Sequence, residues 1–100
     1  MESITATYVD MRSTAKDIDS IADNYESNYL KFMNEVETLT TTDWKGVDAD
    51  AFREQVKGFR DDFAKMKQLM NDYATFIRQT ADEYERTQNN IKQQASTLKN

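Results

Sequence analysis

Two long stretches with coiled-coil spacing, separated at Trp44-Lys45-Gly46, constrain the fold of this chain most strongly. In each stretch the apolar residues alternate steps of three and four residues, the spacing of helices that pack along one side. Continuing the first register would place Asp43, Gly46 and Asp50 on the apolar seam, so the two registers differ by one residue. The sequence therefore predicts two helices folded back on each other, not one rod. The predicted seam comprises Ile4, Tyr8, Met11, Ala15, Ile18, Ala22, Tyr25, Tyr29, Phe32, Val36 and Leu39, then Ala49, Phe52, Val56, Phe59, Phe63, Met66, Met70, Tyr73 and Ile77.

The predicted hairpin has four segments. Helix one covers residues 6–40, a Trp-x-Gly loop covers 41–47, helix two covers 48–86 and a C-terminal overhang covers 87–100. Asp48 or Asp50 is the predicted N-cap of helix two. Pairing the helices about a bend near Trp44 places Tyr25 opposite Phe63 and leaves the overhang without a partner helix.

Additional apolar residues lie beside the seam, and one hairpin is too small to cover them. A single pair of helices leaves one side of each helix without cover, so surplus apolar surface indicates further helices from a partner chain. The predicted fold is all-α, an antiparallel two-helix hairpin that dimerises into an elongated four-helix bundle. The predicted dimer interface comprises Ile21, Leu30, Met33, Leu69 and Phe76.

Composition argues against several classes of function. A net charge of −5 without a basic face argues against nucleic-acid binding. The longest apolar run is two residues, as at Phe76-Ile77, which is too short for a bilayer span. The N-terminus lacks the features of a cleavable signal peptide. Contact with a membrane surface stays open, although the polar faces are not basic.

The sequence predicts neither catalysis nor a bound cofactor. It has no cysteine and no histidine, and its acidic clusters, such as Asp61-Asp62, send neighbouring carboxylates to different sides of a helix. No nucleophile has a base beside it. We expect no enzyme activity, no cofactor and no metal site.

The Trp44-Lys45-Gly46 bend, with Ala51-Phe52 shortly after it in a chain of one hundred residues, resembles the WXG family of small type VII secretion substrates. The resemblance covers the whole chain. It implies a hairpin that dimerises and is exported folded by an ATPase-driven machine of Gram-positive bacteria. It also implies a chain made in the cytoplasm and secreted without a cleavable signal peptide. In the family, Trp44 and Gly46 would form half of an export surface.

The same resemblance implies an export signal near the end of helix two. The common form is a tyrosine followed four residues later by an acidic residue. Here Gln88 stands four residues after Tyr84, and Ile91 continues that helical face. The resemblance therefore assigns Tyr84, Gln88 and Ile91 to the signal, with glutamine in place of the acid.

Two functions remain open at the level of sequence. The chain is either a secreted homodimer that acts outside the cell as a virulence-type effector, or an adaptor that pairs with a related small protein or a larger toxin and delivers it to the secretion ATPase. Sedimentation distinguishes them. A stable homodimer favours the effector, and a chain that orders only with a co-expressed partner favours the adaptor.

Overall fold

A computed structural model of the chain describes residues 4–99. They form three helices, α1 (Ile4–Thr42), α2 (Val47–Gly58) and α3 (Arg60–Lys99), with no strand between residues 4 and 99. The predicted all-α hairpin is confirmed. The sequence placed the end of the first helix near residue 40, and the structure places it at Thr42.

The predicted second helix consists of α2 and α3, which are separated at Phe59. The backbone N–H of Phe59 donates to the carbonyl of Val56 at 3.0 Å, a three-residue step that tightens the chain there. The carbonyl of Phe59 then accepts from Phe63 N–H at 2.9 Å. The segment predicted as an overhang is helical through Lys99, and Asn100 lies outside the described residues.

The described residues form two compact units: residues 20–70, and residues 4–19 together with 71–99. In the first unit the helices run antiparallel around a core of small side chains and rings. The ring centroids of Tyr25 and Phe63 are 6.4 Å apart, which confirms their predicted pairing, and Tyr29 stacks on Phe63 at 5.5 Å. The buried residues of this unit are Ala22, Val36, Thr40, Ala49 and Val56.

The second unit has an alanine core with polar contacts at its edge. Ala15, Ala74 and Ala81 are fully buried. The hydrogen bond to Glu85, followed by that to Asp82, raises the pKa of Arg12 above its ordinary value. Polar contacts that join the helices include those of Arg12 with Asp82 and Glu85, both at 2.8 Å, of Arg78 with Asp19, and of Asn71 with Asp19 at 2.9 Å.

The predicted seam is wrong at Tyr73. The sequence predicts Tyr73 on the seam, but its side chain is 60% exposed and the buried neighbour on α3 is Ala74. Two alanine-lined helices approach closely, so a bulky ring does not fit between them and remains at the edge of the contact.

Candidate functional site

Helix α1 ends through a run of three threonines whose hydroxyls bind its own backbone. Thr40 Oγ1 donates to the carbonyl of Val36 at 2.7 Å, and Thr41 Oγ1 donates to that of Glu37 at 2.8 Å. Because these hydroxyls bind carbonyls of the preceding helical turn, the threonines continue the helix beyond Thr40. The N–H groups of Asp43 and Trp44 then both donate to the carbonyl of Leu39, at 3.1 and 2.8 Å, and close the helix.

Gly46 is the N-cap of helix α2 and has a backbone conformation that only glycine adopts readily. Its φ is 123° and its ψ is −175°. Its carbonyl accepts from Asp50 N–H at 3.0 Å, and no side chain caps the helix. The prediction that Asp48 or Asp50 is the N-cap is wrong, because both lie in the first turn, where their charges still favour the positive helix end.

The two glycines of the chain give a matched test of this conformation. A Cβ added at Gly46 or at Gly58 meets nothing within 4 Å, so the two sites differ in backbone conformation and not in space. We expect Gly46→Ala to lower the free energy of unfolding by about 1–3 kcal/mol through strain. We expect Gly58→Ala, at a helical position without positive φ, to raise it by up to about 1 kcal/mol. Thermal unfolding followed by circular dichroism measures both, and equal effects would contradict the role of φ.

Trp44 lies in the bend and contacts the following helix. Its ring centroid is 5.6 Å from that of Phe52, with the planes inclined at 44°. The side chain is 39% exposed, so the indole is held from one side and presented on the other. Neighbouring Val47 is far more exposed, at 84%. The bend therefore presents a partly fixed aromatic surface.

Large apolar side chains are exposed on one side of each helix instead of being buried in the core between the helices. They are between 37% and 61% exposed, which is unusual for so many large apolar residues. On α2 and α3 they recur mostly every seven residues, the repeat of one helical face. We call the members in the unit of residues 20–70 the aromatic stripe: Ile21, Phe32 and Leu39 on α1, Phe52 on α2, Phe59 at the junction, and Met66 and Leu69 on α3. In the other unit, Tyr73 and Phe76 are the exposed members on α3.

The five residues predicted for the dimer interface fall on two faces. Ile21 and Leu30 are nine residues apart on α1, which at about 100° per residue places them on opposite sides of the helix. Leu69 and Phe76 are seven residues apart on α3, so they share a side of that helix, and Leu69 belongs to the stripe. Leu30 and Met33 line a groove in the unit of residues 20–70, and their place in a dimer interface stays a prediction.

The predicted export residues share one face of α3. Tyr84 and Ile91 are exposed, and Gln88 between them is half-buried. Their spacing of four and then three residues places all three on one side of the helix. This face contains a phenol, an amide and an aliphatic side chain.

Residues 4–99 lack two kinds of feature, a cluster of metal ligands and a membrane-spanning helix. Between residues 4 and 99 there is no group of three or more His, Cys, Asp or Glu side chains that could hold a metal ion. No helix in this range has an apolar stretch long enough to cross a membrane.

Comparison with known proteins agrees with this geometry. A family model described as WXG100, proteins of 100 residues with WXG, matches residues 3–89. Among solved structures, the chain is similar to Geobacillus thermodenitrificans EsxA, with a TM-score of 0.76 and 24% identity over 93% of this chain and 98% of that one. No curated protein sequence matches the chain. With the Trp44-x-Gly46 bend between its helices and a family model that spans most of its length, the chain belongs to the WXG100 family.

Proposed function

We propose that this protein is a small substrate of a type VII secretion system, exported folded as a homodimer. The observation that carries the proposal is the Trp44-x-Gly46 bend, in which Gly46 has a φ of 123° and Trp44 packs on Phe52 at 5.6 Å, in a chain of the WXG100 family. We assign the export surface to Trp44 and Gly46 on one part and to Tyr84, Gln88 and Ile91 on another.

The aromatic stripe supports dimerisation. Its members are exposed although burying a phenylalanine, leucine or methionine side chain contributes about 1.5–3 kcal/mol. A second copy that packs its own stripe against this one would complete a four-helix bundle and cover both. The opposite side of the helices in each unit carries ion pairs, such as Lys67 with Glu26 at 3.7 Å and Arg12 with Glu85 at 2.8 Å. That polar side suits solvent better than it suits a bundle core.

Export is tested in the bacterium that encodes the protein. We expect the intact chain in the culture medium, and we expect its amount there to fall to background when the gene of the secretion ATPase is deleted. A cytoplasmic marker enzyme controls for lysis, and the cellular level of the chain controls for expression. Equal amounts in the medium with and without the ATPase would overturn the proposal.

Sedimentation then separates the homodimer from the adaptor. If the purified chain is a homodimer, this supports a secreted protein that acts as a homodimer outside the cell. A chain that stays monomeric at high concentration, and orders only when co-expressed with a related small protein or a larger toxin, would replace the homodimer with the adaptor function.

A further inference from the structure

A groove in the unit of residues 20–70 lies on the side opposite the aromatic stripe. Its volume is about 410 Å³. Its lining includes the buried side chains of Val36 and Val56 and the more accessible apolar side chains of Leu30 and Met33, and three of its other lining residues are basic. The remaining lining residues are Asn34, Glu37, Arg53, Lys57 and Arg60. A pocket with an apolar floor and a few polar groups at its edge is the usual form of a binding site.

The groove lies between two polar contacts that join the helices. Arg53 donates to the backbone carbonyl of Thr40 at 3.2 Å, and Lys67 pairs with Glu26 at 3.7 Å. Position 60 is seven residues from both Arg53 and Lys67, and position 33 is seven residues from both Thr40 and Glu26. These two positions therefore form one intermediate place between the two contacts. That position holds Arg60 on α3 and Met33 on α1, whose thioether is only a weak hydrogen-bond acceptor and carries no charge.

Arg60 is consequently a cation without a partner. It forms no hydrogen bond or ion pair within the part of the chain that the structure describes, and it is exposed at the edge of the groove. Lys57 is held only loosely, at 4.0 Å from Glu37 and 3.7 Å from Glu54. In a chain with a net charge of −5, these residues give the groove a local preference for anions.

We propose that this groove binds an acidic amphipathic helix of a second protein, with an apolar side chain over Leu30 and Met33 and a carboxylate on Arg60. A helix presents an apolar and an acidic residue three or four positions apart on one side, which matches an apolar floor beside a single guanidinium. Arginine binds a carboxylate through two parallel hydrogen bonds, which fixes the orientation of the bound helix.

The groove stays accessible when a second copy covers the aromatic stripe. Leu30 is on the opposite side of α1 from Ile21, and Arg60 directly follows Phe59, about 100° around the helix axis. The inference therefore goes beyond the proposed export function, and its test does not use secretion.

The test measures binding of synthetic amphipathic peptides to the full purified chain by fluorescence anisotropy. One peptide of about 18 residues carries glutamate beside its apolar face, and a second has lysine at the same positions. We expect saturable binding of the acidic peptide and no binding of the basic peptide. Arg60→Glu should weaken it at least tenfold and confer binding of the basic peptide, because the charge at the rim is reversed. Met33→Glu should weaken it similarly by supplying Arg60 with a partner from the same chain.

Lys65→Glu is the matched control. It makes the same change in net charge at an exposed position of α3 outside the groove, so acidic-peptide binding should stay within about twofold of the original. Circular dichroism and sedimentation must show that all variants keep the helical content and oligomeric state of the original chain. The proposal is overturned if the acidic peptide does not bind, if both peptides bind alike, or if Arg60→Glu and Lys65→Glu have equal effects. It is also overturned if Arg60→Glu changes the oligomeric state, since that would assign the groove to a second copy.

Discussion

Leu69→Glu is expected to separate the dimer into monomers. Leu69 is 60% exposed within the aromatic stripe, and in the proposed dimer it is covered by the second copy. A carboxylate there would lose its hydration without gaining a partner, at a cost of several kcal/mol per charge. Because a two-fold dimer carries the substitution twice, the dissociation constant should rise by at least a hundredfold. Sedimentation equilibrium measures the dissociation constant directly.

Ala64→Glu is the matched control for this charge. Ala64 is exposed on the same helix and follows Phe63 on the side of the ion pairs, so a carboxylate there should remain in water. We expect its dissociation constant to stay within about threefold of the original, as for an ordinary surface substitution. The thermal midpoint should rise with concentration in the original chain and in Ala64→Glu, but not in Leu69→Glu. If Leu69→Glu remains a dimer at low concentration, the stripe is not the interface.

The sequence was sufficient to predict the hairpin and the place of its bend. The register change at Trp44-Lys45-Gly46 and the aligned pair of Tyr25 and Phe63 followed from spacing alone, since helical geometry fixes which residues share a side. The positive φ of Gly46 also agrees with a bend at this place. The N-cap, however, is Gly46 and neither Asp48 nor Asp50. Local chemistry at a helix start offers several acceptable caps, and tertiary structure selects among them.

Spacing could not separate the core of the hairpin from the surface left for a partner. A heptad pattern identifies the apolar side of a helix, but a helix in a four-helix bundle contacts two neighbours with that side. The sequence assigned Tyr73 to the hairpin contact, whereas Ala74 is buried there. The useful signal was the small size of Ala15, Ala22, Ala74 and Ala81, because small residues mark where two helices approach most closely.

The groove was missed for a related reason. The sequence groups Leu30 and Met33 with Ile21 because all three are apolar residues beside the seam. Their angular positions on α1 separate them, and the basic residues Arg53, Arg60 and Lys67, spaced by seven, could have indicated a polar series with one position unpaired. Which position lacks a partner follows only from the antiparallel alignment of the two helices.

Trp44→Ala is expected to abolish export while leaving a folded dimer. The indole is 39% exposed and packs against Phe52 from one side, so its removal should cost only about 1–2 kcal/mol of stability. Helical content and sedimentation should therefore be close to those of the original chain. A large aromatic ring that is fixed on one side and open on the other is typical of a residue that dominates a binding interface. The amount of chain in the medium should fall at least tenfold, while the cellular amount is maintained.

Val47→Ala separates this effect from a general loss of apolar surface at the bend. Val47 is close to Trp44 in sequence and more exposed, but it is an aliphatic residue at the first position of α2 without the ring contact to Phe52. Export of Val47→Ala should match the original chain, and Trp44→Phe should retain part of it, because a smaller ring can still pack on Phe52. Normal export of Trp44→Ala would show that the bend only connects the helices. Loss of export with a matching loss of folded protein would assign Trp44 a structural role, whereas loss from a folded dimer requires that the indole contact another molecule.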